Sequence, residues 1–157
     1  MSEIIYRKAR KSDLDSLSVL AMELNEFHDS KEDYFELKIE NKSRMKSFFE
    51  QSIASKNHLF FVAEKDKEII AYVHANISTR PPIFVHEKEV YIGAMFTKKE
   101  YRKKGIANKL FLEVKKFAKE NKLRFIQLRV YSKNNVAKKF YKALGFEVML
   151  DYMVKKV

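Results

Sequence analysis

The sequence predicts an α/β domain on a mixed, mostly antiparallel central sheet, and three observations lead there. Two short β-rich runs flank the tight polar link Lys65-Asp66-Lys67-Glu68, which is hairpin spacing. A strand, a helix and a second strand then follow between residues 89 and 131, the pattern of a parallel crossover. Near the N-terminus, two runs of apolar residues at helical spacing supply cover for the sheet.

Taken in order, residues 3 to 8 are a first strand. Ser12-Asp13-Leu14-Asp15 resembles a capping box and opens a helix with Leu14, Leu17, Leu20, Ala21 and Leu24 on one face. From residue 27 to 41 the pattern loosens and Glu32, Asp33, Glu36 and Glu40 gather, before Met45, Phe48, Phe49 and Ile53 resume a helical spacing. The expectation is a helix-loop-helix lid. Residues 59 to 64 and 69 to 78 are the hairpin strands, and Arg80-Pro81-Pro82 ends the second. Residues 89 to 97 form another strand, with Gly93 inside it marking a bulge or a close backbone approach. A helix follows, then a β-rich run at 124 to 131, a short helix at 134 to 144 stopped by Gly145, and a last strand at 146 to 154. No linker or repeat divides residues 1–157, which read as a single domain.

With 157 residues, 46% of them hydrophobic, the chain can build a proper core. The absence of cysteine excludes a disulfide, a thiolate metal site and a cysteine nucleophile. His28, His58, His74 and His86 are scattered without ligand spacing, so no metal is expected. No apolar run approaches the roughly 18 residues of a membrane span, and MSEIIYRKAR lacks a signal-peptide pattern. The default is a soluble cytoplasmic protein with no membrane partner. The net charge of +11 is unevenly placed: residues 1 to 97 hold 14 Lys+Arg against 16 Asp+Glu, residues 98 to 157 hold 18 against 5. That excess points to an anionic ligand in the C-terminal part, with a solvated Lys-rich face as the plainer reading.

The stretch from Met95 to Asn108, MFTKKEYRKKGIAN, gives the anion a place. Gly105, one of only three glycines, falls where an apolar run passes into the helical spacing Ala107, Leu110, Phe111, Val114, Phe117, Ala118. The first N–H groups of a helix have no partner within it and carry the positive end of its dipole, so such a turn can receive a diphosphate. Arg102, Lys103 and Lys104 add charge there. No G-x-x-x-x-G-K-[ST] and no G-x-G-x-x-G is present, and on its own a glycine in a Lys-rich stretch is an ordinary turn. In the helix after Asn134, Ala137, Phe140 and Leu144 can pack inward, while Asn134, Lys138 and Tyr141 form a neighbouring polar stripe.

Arg102-x-x-Gly105-x-Ala107 opening a helix, followed after one strand by Asn134-x-x-Ala137-x-x-x-Tyr141-x-x-x-Gly145-Phe146, resembles the GCN5-related N-acetyltransferase (GNAT) family. The N-terminal segment IIYRKARKSDLDSL is similar to that family's first strand and helix. The resemblance covers nearly the whole chain. It implies the acyl-CoA N-acyltransferase fold, with a splayed parallel strand pair and flanking helices, and acetyl-CoA as cosubstrate without a metal. It further implies that acetyl-CoA lies in the V between the strand at 89 to 97 and the run at 124 to 131. The pantetheine arm would then run along Met95, Phe96 and Thr97. The diphosphate would be held by Arg102, Lys103, Lys104, Gly105, Ile106, Ala107 and Asn108, with Asn134 binding the arm further. Tyr141 would protonate the departing CoA thiolate.

The chain departs from the family at Lys99, where a proline is common, at Ala107, where glycine is more frequent, and at Arg129, where the branch that acetylates protein N-termini often carries a glutamate. The general base is left to Glu89 or a water chain. The function that follows is acetyl transfer to a primary amine by direct attack, the acceptor being a small-molecule amine or a Lys-like side chain drawn in beside the acidic residues 32 to 40. The rival readings are a basic nucleic-acid-binding domain and a catalytically silent CoA-binding regulator. Phe117, Phe125 and Phe140 fall at core spacing rather than interleaved with the lysines, which argues against nucleic acid, and the intact turn and Tyr141 argue against silence. A homodimer is compatible with the sequence.

Overall fold

The computed structural model describes residues 3–29 and 42–157. Five strands form one sheet in chain order: β1 (Ile5–Lys8), β2 (His58–Lys65), β3 (Glu68–Thr79), β4 (Lys88–Thr97) and β5 (Ile126–Leu128). The first four run antiparallel to their neighbours, and β5 is parallel to β4. Helices α1 (Leu14–Asp29) and α2 (Lys42–Ala54) lie on one face and α3 (Ile106–Glu120) on the other. The short helix α4 (Asn135–Ala143) follows β5.

Burial follows from this layering. The central strand β3 is buried without alternation from Ile69 to Ala75, as a strand covered on both faces must be. On one side Leu59, Phe61, Val73, Val90 and Ile92 pack against Leu110, Phe111, Val114 and Phe117 of α3. On the other, Phe60, Val62, Tyr72 and Phe96 meet Leu14, Leu17, Leu20 and Phe49. Arg7 joins β1 to the start of α1: its guanidinium donates to both oxygens of Asp13 at 2.7 and 2.9 Å and to Glu64 through Nε at 2.8 Å. Burial pushes the Asp13 carboxyl up, but the Arg7 hydrogen bonds and charge and the Arg10 N–H outweigh it, so its pKa is lowered.

The hairpin expected at residues 65 to 68 is present, and its two central residues, Asp66 and Lys67, have φ of 52° and 66°. Positive φ at both positions is what a two-residue turn needs to match the strand twist, and here it is met without glycine. Two bulges follow. Ile70 is the extra residue of β3 against β2, since Ala63 pairs with Ala71 and Glu64 with Ile69. Gly93 is the extra residue of β4 against β3, since His74 pairs with Ala94 and Ala75 with Ile92.

Three expectations need correction or restriction. The strand expected at 146 to 154 does not form: the sheet ends at β5, no neighbour offers a ladder, and Val148, Met149, Leu150 and Met153 are exposed. The run at 124 to 131 keeps only three paired residues, and Phe125, placed at core spacing by the sequence, is 46% exposed with its ring edge-on to His86. Of the expected helix-loop-helix lid only the flanking helices α1 and α2 are described, and the acidic residues Glu32, Asp33, Glu36 and Glu40 lie outside the described residues.

Candidate active site

The parallel pair sets the geometry. Val90, Tyr91 and Ile92 of β4 face Ile126, Gln127 and Leu128 of β5, and the ladder stops there. From Gly93 to Thr97 the outer edge of β4 therefore has no strand partner, and a V opens whose apex is the Gly93 bulge. Unpaired backbone donors and acceptors along a strand edge are what an extended amide-bearing chain can pair with.

At the far end of β4 a short 3-10 turn, Lys99–Tyr101, leads into the basic turn before α3. Gly105 caps α3 with φ 75° and ψ 3°, a left-handed conformation that β-branched residues cannot take without strain. A Cβ there would meet nothing within 4 Å, so the backbone angle rather than crowding is what favours glycine, and the space above it is open. The first bond closing onto the turn runs from the Lys109 N–H to the Gly105 carbonyl at 3.1 Å. The N–H groups of Ile106, Ala107 and Asn108 are left without partners among the described residues. Arg102 donates from Nε to the Thr97 carbonyl at 2.9 Å, fastening the turn to the end of the strand, and the Lys104 ammonium lies 5.2 Å over the Tyr101 ring. These free donors and cations suit a diphosphate.

Across the V, α4 is defined by its two ends. The Asn134 carboxamide accepts the Ala137 N–H at 3.1 Å, an N-cap. At the other end Gly145 takes φ 89°, its N–H donates to the Lys142 carbonyl at 3.0 Å, and the Phe146 N–H donates to the Tyr141 carbonyl at 3.1 Å. This is a Schellman ending, and its usual apolar contact is here the Tyr141 ring against the Phe146 ring, 5.5 Å apart. Tyr141 is thus held by the backbone geometry that Gly145 permits. The sequence placed Tyr141 on a polar stripe beside the packing face; its ring in fact joins Phe140 and Phe146, and burial pushes its phenol up to about 12. A phenol so shifted keeps its proton throughout the neutral range.

A strand edge open to an extended chain, ending at a helix N-terminus with free N–H groups, is the arrangement one family uses, and its model matches residues 24–146 of this chain. The chain belongs to the acetyltransferase (GNAT) family. It is an acetyltransferase by family. Solved structures of the same fold include a predicted acetyltransferase from Clostridium acetobutylicum with acetyl-CoA, 22% identical over 98% of this chain and 96% of that one, TM-score 0.82. A Bacillus halodurans protein is 23% identical over 98% and 99%, TM-score 0.82. The aminoglycoside 6'-N-acetyltransferase AAC(6')-Ih from Acinetobacter baumannii is 19% identical over 99% of each chain, TM-score 0.77.

In the acetyltransferase the residues singled out from sequence fall into three places. Met95, Phe96 and Thr97 lie along the open edge of β4 and run into the turn at 102 to 108, while Phe96 points into the α1/α2 core. Asn134 and Tyr141 sit at the start and in the last turn of α4. Glu89 is elsewhere: Gln127 Nε2 donates to its Oε1 at 2.5 Å and Arg80 Nε stands 3.9 Å from Oε2. Its carboxylate ties β4 to β5 on the paired side, four residues before the split, roughly 13 Å along a strand. Among the described residues no group of three or more His, Asp or Glu is placed to hold a metal, and no helix is long and apolar enough to cross a membrane.

The sequence missed a ring cluster beside the apex. His74 of β3 is 5% exposed, and its Nε2 lies 2.9 Å from Nδ1 of His58 on β2. Phe48, Phe60 and the two imidazoles stack and tilt against one another at 5.1 to 6.3 Å. Burial, then the neighbouring His58, lowers the His74 pKa to about 4, and burial lowers that of His58. The only signal in the sequence was the hairpin link, from which a bulge-free register would set His74 opposite Leu59. The extra residue Ile70 shifts that register by one and sends His74 to the other face.

Proposed function

We propose that this acetyltransferase moves the acetyl group of acetyl-CoA to a primary amine by direct attack. The observation that carries the reading is the V itself, an unpaired strand edge running from the Gly93 bulge to the free N–H groups of Ile106, Ala107 and Asn108. On this reading the backbone from Met95 to Thr97 pairs with the pantetheine arm, the turn from Arg102 to Asn108 takes the diphosphate, and the free Asn134 amide nitrogen binds the arm beside its own capping bond. The amine nitrogen bonds to the acetyl carbon, the carbon–sulfur bond breaks, and the thiolate takes the phenolic proton of Tyr141. A phenol with a pKa near 12 arrives protonated at any working pH, as a general acid must. Glu89, spent on Gln127 and Arg80, suits a clamp at the base of the V better than a general base.

The acceptor we read as a small cationic amine or a Lys-like side chain, steered by the acidic residues 32 to 40 while the C-terminal part, 18 basic against 5 acidic residues, takes the anionic cofactor. The test incubates the protein and acetyl-CoA with a panel of polyamines, aminoglycosides and lysine peptides and follows free thiol. Thiol release that requires one class of amine, with the acetylated amine found by mass, is the expected result. Release independent of every amine would refute the amine reading.

A further inference from the structure

The paired imidazoles stand where the proposed reaction needs a proton to leave, and this inference rests on that reading. An attacking ammonium-derived nitrogen must lose a proton, and Glu89 lies roughly 13 Å down the strand from the apex. At the apex, Gly93 has no side chain, and the position its Cβ would occupy is 3.1 Å from His74 Nδ1, 3.7 Å from His74 Cε1 and 3.9 Å from the His74 carbonyl oxygen. An atom at that point is thus at hydrogen-bond distance from a ring nitrogen that makes no hydrogen bond among the described residues. The opposite nitrogen, Nε2, is bonded to His58, and His58 is half-buried with a route to water. Gly93 itself is exposed, so the point can be reached from the V. A glycine in the bulge also has no conformational excuse: its φ is not positive, and what it provides is the gap over the His74 ring.

We propose that His74 and His58 form a two-imidazole proton relay, in which His74 Nδ1 accepts the proton of the amine, directly or through one water held in the Gly93 gap. In the resting tautomers His74 carries its proton on Nε2 and His58 on its own Nε2. As Nδ1 of His74 gains a proton, its Nε2–H passes to His58 Nδ1, and the His58 Nε2 proton goes to water. Both rings end neutral with tautomers exchanged, and resetting needs only exchange with water. The relay removes a difficulty that a lone base would face, because burial beside Phe48, Phe60 and His58 makes a charged His74 costly. His74 can take a proton only if it gives one up on the far side.

Three variants and one spectroscopic measurement test this. His58→Ala opens the outlet and leaves the V untouched; kcat is expected to fall 10- to 100-fold with the acetyl-CoA thermal shift unchanged. Added imidazole should restore most of the loss, which a purely packing role would not allow. Gly93→Ala, tolerated by its backbone angle, fills the gap and should lower kcat without rescue by imidazole. His74→Gln keeps a polar group in the cluster and should lose both the rate and the rescue. In the unliganded protein, ring ¹⁵N shifts are expected to show His74 protonated on Nε2 with Nδ1 bare. Wild-type kcat in folded His58→Ala and Gly93→Ala, or a His74 proton resident on Nδ1, overturns the relay while leaving amine acetylation standing. Failure of the wild-type protein to acetylate any amine overturns both.

Discussion

Helices α3 and α4 carry the two ends of the proposed chemistry, and they are held by different means. Helix α3 buries Ile106, Leu110, Phe111, Val114, Phe117 and Ala118 against the sheet, whereas α4 buries no side chain fully. Both end in the same hydrogen-bond pattern: Leu123 N–H to the Ala118 carbonyl at 2.9 Å, and Phe146 N–H to the Tyr141 carbonyl at 3.1 Å. The left-handed residue is Lys122, φ 56°, in the first and Gly145, φ 89°, in the second. Helix α3 accepts a lysine there because six apolar anchors already fix it. Helix α4 depends on its ends. The proposed anion turn therefore rests on core packing, and Tyr141 on a cap, a glycine and two ring contacts.

The largest break in this comparison is expected at the turn. Gly105→Val should abolish the rise in Tm that acetyl-CoA gives by mass action, measured by thermal melts with and without millimolar ligand. The unliganded protein should lose only about 1–2 kcal/mol from the left-handed angle, since α3 keeps its anchors. An undiminished ligand shift in that variant would take the diphosphate away from the turn.

Next comes the phenol. Tyr141→Phe is expected to lower kcat by about 10²-fold while leaving the acetyl-CoA thermal shift in place. With the folded-state pKa pushed up to about 12, the acid stays loaded, so the wild-type rate should show no alkaline fall from this group at pH 8 to 10. An alkaline limb in that range that vanishes in Tyr141→Phe would mean that the phenol titrates far lower than its burial implies.

The ends of α4 sharpen the contrast. Asn134→Ala should cost about 1 kcal/mol of stability by removing the cap and should lower kcat as Tyr141 loses its seat. Asn134→Ser restores the cap but not the amide: recovered stability with weakened cofactor binding would assign both jobs to Asn134, and full recovery of both would leave it a cap alone. The smallest effect is expected at the end of α3, where Lys122→Gly should raise stability by at most about 1 kcal/mol, relieving a left-handed lysine, with kcat unchanged.

The same contrast explains what could be read from the chain alone. Residues 106 to 118 announce α3 by apolar period, because packing on a sheet needs that period, and Gly105 announces the turn because a left-handed angle favours glycine. The Asn134 and Gly145 pattern gave α4 its ends for the same local reason. What failed was non-local. Residues 146 to 154 have strand composition, yet a strand exists only beside a partner. Tyr141 turned toward Phe146 through a contact that closes after the helix has ended. The imidazole pair depends on Ile70 having no counterpart on β2, and a one-residue change of register leaves no mark in hydrophobic periodicity.

The three-residue ladder between β4 and β5 has a mechanical meaning as well. It is a seam: on one side a sheet of long antiparallel pairs clasped by three helices, on the other a stub of strand, a capped helix and a tail with little to bury. Segments with few buried contacts open at low free energy, so amide exchange from 126 to 146 should run ahead of that from β2, β3 and α3. A ligand lying in the V would stitch the two margins together along its length. Loading the enzyme and closing this weakly held edge would then be one event, and release of the product would reopen the seam before the next acetyl group can enter.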